Sequence, residues 1–213
     1  MSKPNQSDLD RFAWRIDELR QEVSRRDPFT LRDNTDTVYE DRGDNQGVFK
    51  FPFWESNVLL TYPDLIAYND PTGEELPLFH QAMLLYYFRS ADGCPVSEQW
   101  ISFSELPDGR FYNQAFQGYT GLELARSFRD DHTMFERAAK SLNGTPHSIG
   151  DLSFSFMALP RVSLLVVFWQ GDEDFSSSYK LLFDSSAPHY LPTDGYAILG
   201  STLTRQLIQA AGS

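Results

Sequence analysis

The sequence predicts an α+β fold: a mainly antiparallel sheet with helices packed on it and a helix towards each end. Three observations carry this. Stretches near both ends repeat apolar residues at spacings of three and four, the period of a helix with one buried face. Between them lie short runs that alternate or are wholly apolar, bounded by Gly, Pro, Asn and Asp. Helices and strands are interspersed without a regular βαβ rhythm, and no repeat or long linker interrupts them. One domain over residues 1–213 is therefore expected, built on antiparallel rather than parallel strands.

The elements follow in order. From Ser7 to Arg26, the residues Leu9, Phe12, Ala13, Ile16, Leu19 and Val23 make one stripe. Ser7, Asp8 and Asp10 suit a capped, acidic start, Arg25 and Arg26 suit the end, and Pro28 stops it. This N-terminal helix lies within residues 1–30. Asp33 to Asn45 is polar and reads as a loop with a short strand at Thr37 to Glu40. Val48 to Phe53 alternates as a strand; Asn57 to Tyr62 and Leu65 to Tyr68 are β-rich runs punctuated by Pro63. The turn from Asn69 to Gly73 is strong.

Leu76 to Arg89 is apolar nearly all round and predicts a buried helix with Pro77 in its first turn. Gln99 to Leu106 reads as a strand, Pro107 to Gly109 as a tight turn, and Arg110 to Tyr112 as a return. Gly121 to Phe128 and Asp131 to Leu142 predict two short helices, the second capped by Asp130 or Asp131 and closed by Asn143 and Gly144. Leu152, Phe154 and Phe156 alternate with serines, a strand with one face buried. Ser163 to Trp169 is apolar on both faces and reads as the central strand. Gly171 to Asp174 turns the chain into a strand at Lys180 to Phe183. The last helix starts at Thr193 or Asp194, with Tyr196, Leu199, Leu203 and Leu207 on one face.

Composition excludes several functions. The net charge of −12 repels phosphate backbones, so nucleic acid is not an expected partner, and anionic membrane surfaces are disfavoured. Leu164 to Trp169, the most apolar stretch, is too short to span a bilayer. The first residues carry no apolar run, so no signal peptide is expected; with a single cysteine, Cys94, this suits a cytoplasmic protein. One cysteine also excludes an internal disulfide, a four-cysteine zinc site and a self-contained iron–sulfur cluster. No cofactor and no metal is expected; a protein partner is compatible with this surface, and the oligomeric state is open.

Four segments, LPLFHQAMLLYYFRSADG (Leu76 to Gly93), WISFSELPDGRFYNQAF (Trp100 to Phe116), LPRVSLLVVFWQGDEDF (Leu159 to Phe175) and LLFDSSAPHYLP (Leu181 to Pro192), come in an order and spacing that resemble the domain of unknown function 3786 family of anaerobe-rich bacteria and some archaea. The resemblance covers about two-thirds of the chain, with the family-like core at 76–213. It implies no established activity. It does imply an association with cysteine-rich iron–sulfur modules of the kind seen in corrinoid proteins, which some members carry or neighbour. This chain has no such module, so any iron–sulfur role must come from a partner. The family's Gly-Asp-Glu-Glu-Phe has Asp174 here, which keeps the charge.

Two segments gather polar chemistry. Asp172, Glu173 and Asp174 are consecutive carboxylates, the ligand type of hard cations. Three in a hairpin cannot all point one way, so a solvated turn is the preferred reading, and metal binding needs Asp184 or His189 to converge. Asp184, Ser185, Ser186, His189 and Tyr190 follow a buried strand in an irregular segment. They combine the residue types of nucleophilic catalysis, without a Gly-x-Ser-x-Gly elbow. The preferred reading is that they order the loop backbone.

Elsewhere, His80 in an apolar helix reads as a core or interface residue. His132 falls in a helix first turn and His147 in a loop, with no metal-binding His spacing. Trp100, Phe103, Phe111, Tyr112, Phe116 and Tyr119 could line a pocket for a flat cofactor, but read first as core. The functional expectation is a soluble binding or accessory protein linked to anaerobic redox or corrinoid metabolism, without catalysis of its own. Its rival is a metal-dependent or hydrolase-like enzyme using Asp172, Glu173, Asp174, Asp184 and His189.

Overall fold

The computed structural model describes residues 6–212, with side chains from Arg11 onward. The Ser7 cap, its acidic neighbours and Leu9 lie outside the described side chains. The fold is α+β with antiparallel sheets. The chain divides into two compact units, Met1–Cys94 and Pro95–Ser213, at the Gly93, Cys94, Pro95 break.

The first unit holds α1 (Gln6–Val23), α2 (Pro28–Thr35), β1 (Val38–Gly43), β2 (Gln46–Phe53), β3 (Ser56–Tyr62), β4 (Ala67–Asn69) and α3 (Leu78–Ser90). The four strands form an antiparallel meander in the order β1-β2-β3-β4. Ile16, Leu19 and Val23 of the α1 stripe are buried, as its periodicity predicts. Helix α2 differs from the sequence reading. Pro28 starts a helix there rather than merely stopping one: at the first helical position its missing N–H costs nothing. Asp27 caps it by accepting from the Thr30 N–H and hydroxyl, each at 2.8 Å.

Helix α3 buries Gln81 to Leu85, Tyr87 and Phe88. Buried Gln81 is fully engaged. Arg20 donates to its Oε1 at 2.6 Å, and its Nε2 donates to Glu75 at 2.7 Å and the Leu76 carbonyl at 2.9 Å. The first turn of α3 is exposed, which places His80 outside the core, its ring edge-on to Phe53 at 5.6 Å. Partial burial pulls its pKa below the ordinary histidine value.

The second unit runs β5 (Trp100–Ser102), α4 (Gly109–Tyr119), α5 (Gly121–Phe128), α6 (His132–Ser141), β6 (Thr145–His147), β7 (Leu152–Leu159), β8 (Val162–Trp169), β9 (Ser178–Asp184) and α7 (Thr193–Ala211). The sheet order is β5-β9-β8-β7-β6, all antiparallel, so the apolar run of β8 is the central strand, as expected. Along it, Leu164, Val166 and Phe168 pair with Phe156, Phe154 and Leu152 on β7, while Leu165 and Val167 pair with Ser155 and Ser153. The first set faces the helices. Phe135 of α6 meets Phe154 at 5.9 Å, and Tyr196 of α7 meets Phe183 of β9 at 5.2 Å.

Two corrections concern the segment before α5. The expected strand from Gln99 stops at Ser102. A short 3-10 turn over Phe103–Glu105 follows, because Glu105 reaches back to accept from the Ser102 N–H at 2.7 Å. The expected return at Arg110 to Tyr112 is the first turn of α4. His147, expected in a loop, lies on the edge strand β6.

Candidate functional site

The two polar segments singled out in the sequence lie at opposite ends of β9, in the second unit. Six residues of β9 lie between the 170–177 loop and Asp184, about 20 Å along the strand. The structure therefore does not bring Asp172, Glu173 or Asp174 together with Asp184 or His189. Among the described residues, no group of three or more His, Cys, Asp or Glu side chains is arranged to hold a metal ion.

Asp184 ends β9 and is 2% exposed. Its Oδ1 accepts from the Ser97 N–H at 3.0 Å, the Ser97 hydroxyl at 2.9 Å, the Ser186 N–H at 2.9 Å and the Ser186 hydroxyl at 2.6 Å. Its Oδ2 accepts from the Glu98 N–H at 2.6 Å. Burial pushes this carboxyl up. The bonds from Ser186 and Ser97 outweigh it, and the net pKa falls below the ordinary aspartate value. The carboxylate thus ties the chain entering β5 to the chain leaving β9. Ser185 joins the tie: its N–H donates to Gln99, and its hydroxyl lies 2.8 Å from that of Ser97. His189 ends a 3-10 turn (Ala187–His189) with an exposed side chain, while Tyr190 is buried beside it.

The other end is built differently. The 170–177 loop joins β8 to β9. Asp172 Oδ1 accepts from the N–H groups of Asp174 and Phe175 at 2.9 and 2.8 Å, so this carboxylate shapes its own loop. Glu173 and Asp174 are exposed, and Phe175 is 75% exposed. Opposite stands the C-terminal half of α5. The loop and the helix enclose a cleft of about 820 Å³, lined on the helix side by Leu122, Ala125, Arg126, Arg129 and Asp130.

The helix wall is held close by Gly121, where a Cβ would collide with the Tyr179 carbonyl of β9. Arg126 pairs with Glu123 at 2.6 Å. Arg129 terminates α5 at φ 50°, ψ −127°, a left-handed conformation that favours glycine. Its carbonyl is held there by the Ser177 hydroxyl at 2.9 Å and the Tyr179 hydroxyl at 3.3 Å. Burial, with Asp130 and Asp131 nearby, pushes the Tyr179 phenol far above its usual pKa, so it remains a donor.

The aromatic group divides. Phe103 and Phe116 are buried and stacked at 4.0 Å, plain core. Phe111 and Tyr112 stand on the exposed side of α4, at 88% and 64%. Trp100 of β5 meets His147 of β6 at 5.6 Å, and His147 Nε2 lies 2.8 Å from the Ser155 hydroxyl. That Ser–His contact was invisible in sequence because it depends on strand register. The arginine wall was invisible too, since arginines near a helix end are ordinary partners of the helix dipole.

The family model for a domain of unknown function (DUF3786) matches residues 27–206. The chain belongs to this family. The match begins well before Leu76, so family membership reaches into the first unit as well as the second. No curated protein and no solved structure matches the chain. Among the described residues, no helix is long and apolar enough to cross a membrane.

Proposed function

We propose that this protein is a binding or accessory protein, and that the cleft between α5 and the 170–177 loop is where it binds. The observation that carries this reading is the cleft itself: about 820 Å³, with two arginines and Asp130 on one wall and an exposed phenylalanine among carboxylates on the other. Volumes of this size are typical of ligand sites. Exposed aromatic and arginine side chains are the residue types that dominate binding energy in protein contacts. The geometry at Asp184 also supports the reading over the enzyme alternative. A carboxylate that already accepts from five donors is poorly placed to act as a base or a metal ligand. The family resemblance directs the search for the bound species towards anaerobic redox or corrinoid metabolism.

Native mass spectrometry of protein purified from its own host tests this. The expected result is a bound species retained by wild type and by His189→Ala but lost from Phe175→Asp. Loss from His189→Ala with retention by Phe175→Asp would move the site to the Asp184 to Tyr190 segment and overturn the cleft.

A further inference from the structure

Arg129 occupies a backbone position that glycine would adopt without strain. The hydroxyls of Ser177 and Tyr179 donate to its carbonyl and fix that position, and neither bond uses the arginine side chain. Arg129 lines the cleft and is exposed. Asp130, Glu173 and Asp174 line the same cleft, yet among the described residues Arg129 is in no ion pair. The strained backbone position thus carries an exposed side chain that no carboxylate neutralises among the described residues. Asp172 is engaged by its own loop. The helix wall thus carries Arg129, Arg126 paired with Glu123, and the carboxylate of Asp130, while the loop wall is anionic through Glu173 and Asp174. Leu122 and Ala125 on the helix wall and Phe175 on the loop supply apolar surface.

A lone anion drawn to Arg129 would be repelled by Asp130, Glu173 and Asp174, and a lone cation drawn to those carboxylates would be repelled by Arg129. A ligand that carries both charges, separated by an apolar body, satisfies both walls. We propose that the cleft recognises a short zwitterionic peptide, its carboxylate held by Arg129 and its ammonium by Glu173 and Asp174, with an aromatic or aliphatic residue against Phe175. This rests on the cleft being the binding site and names the ligand class for it.

The test is thermal melting of the full chain with three probes: the tripeptide Lys-Phe-Glu, inorganic phosphate and spermidine. The tripeptide should raise the melting temperature by a few degrees at saturating concentration, through binding to the folded state. The rise should shrink in high salt, which screens exposed charge pairs. Phosphate and spermidine should leave the melt unchanged. Arg129→Gly should melt no lower than wild type, because glycine relieves the backbone, and should lose the tripeptide response. The double variant Glu173→Gln, Asp174→Asn should lose it too.

A tripeptide response that survives in Arg129→Gly overturns the proposal, as does the lack of any response in wild type. An equal response to phosphate or spermidine, lost in Phe175→Asp, also overturns the zwitterion but leaves the cleft standing as the site. The host-purified species that decides the cleft reading is measured separately, so the two failures are distinguishable.

Discussion

The two ends of β9 carry the same residue types and put them to opposite uses. At its end, Asp184 and Ser186 are drawn inside, and five donors are turned on one carboxylate. Before its start, Asp172 binds only its own loop, while Glu173, Asp174 and Phe175 face solvent. The difference lies in what the surrounding backbone offers. The chain arriving at β5 presents the N–H groups of Ser97 and Glu98 to Asp184, from 87 and 86 residues away. Among the described residues, no donor from a distant segment reaches the carboxylates of the 170–177 loop. A carboxylate surrounded by preplaced donors holds a fold together; carboxylates left beside a cleft remain available to something else.

The comparison breaks first at Asp184. Asp184→Ala leaves several buried donors unmet and should destabilise by about 3 kcal/mol or more, read from denaturant midpoints. A loss below about 1 kcal/mol would mean that this corner is not a structural tie. The same residue sets a pH dependence. Its folded pKa lies below that of the unfolded chain, so its contribution is complete above the unfolded value of about 4. It is lost as pH falls through the lower folded value. Wild type should therefore lose stability more steeply than Asp184→Ala on acidification below about pH 4.

Val166→Ala comes next. It empties volume on the helix-facing side of the central strand and should cost about 2 kcal/mol. A smaller change at Asp172→Ala sharpens the contrast. Its turn bonds are exposed, so the loss should stay under about 1 kcal/mol, with the same unfolding slope as wild type. Treatment with a chelator should leave the melting temperature where it is; a drop of several degrees would promote the acidic loop to a metal site.

Much of this fold was legible in the sequence. The β8 run, the α7 face and the capped α6 each follow from local pattern, because burial on one or two faces writes its period into the chain. Helix α2 was missed although its signal, Asp27 before Pro28, was present: proline was read as a stop when it also starts helices. The strand expected at Arg110 to Tyr112 failed because two exposed aromatics there mimic a β-rich run on what is the outer face of α4.

The candidate site was half legible. Its acidic loop and the Asp184 segment stand out by composition. The wall opposite the loop does not, because Arg126 and Arg129 reach it only through the close approach of α5 to β9 at Gly121. Which carboxylate is spent and which is free depends on long-range donors, and no local window contains them.

Amide hydrogen exchange measured residue by residue on wild type tests the division of β9 most directly. The N–H groups of Ser97, Glu98 and Ser186 should exchange only through opening close to global unfolding, and should lose that protection together in Asp184→Ala. Those of Asp174 and Phe175 should exchange through low-cost local opening of the loop. Equal protection at the two ends of β9, or protection of Ser97 and Glu98 that survives the loss of Asp184, would contradict the account.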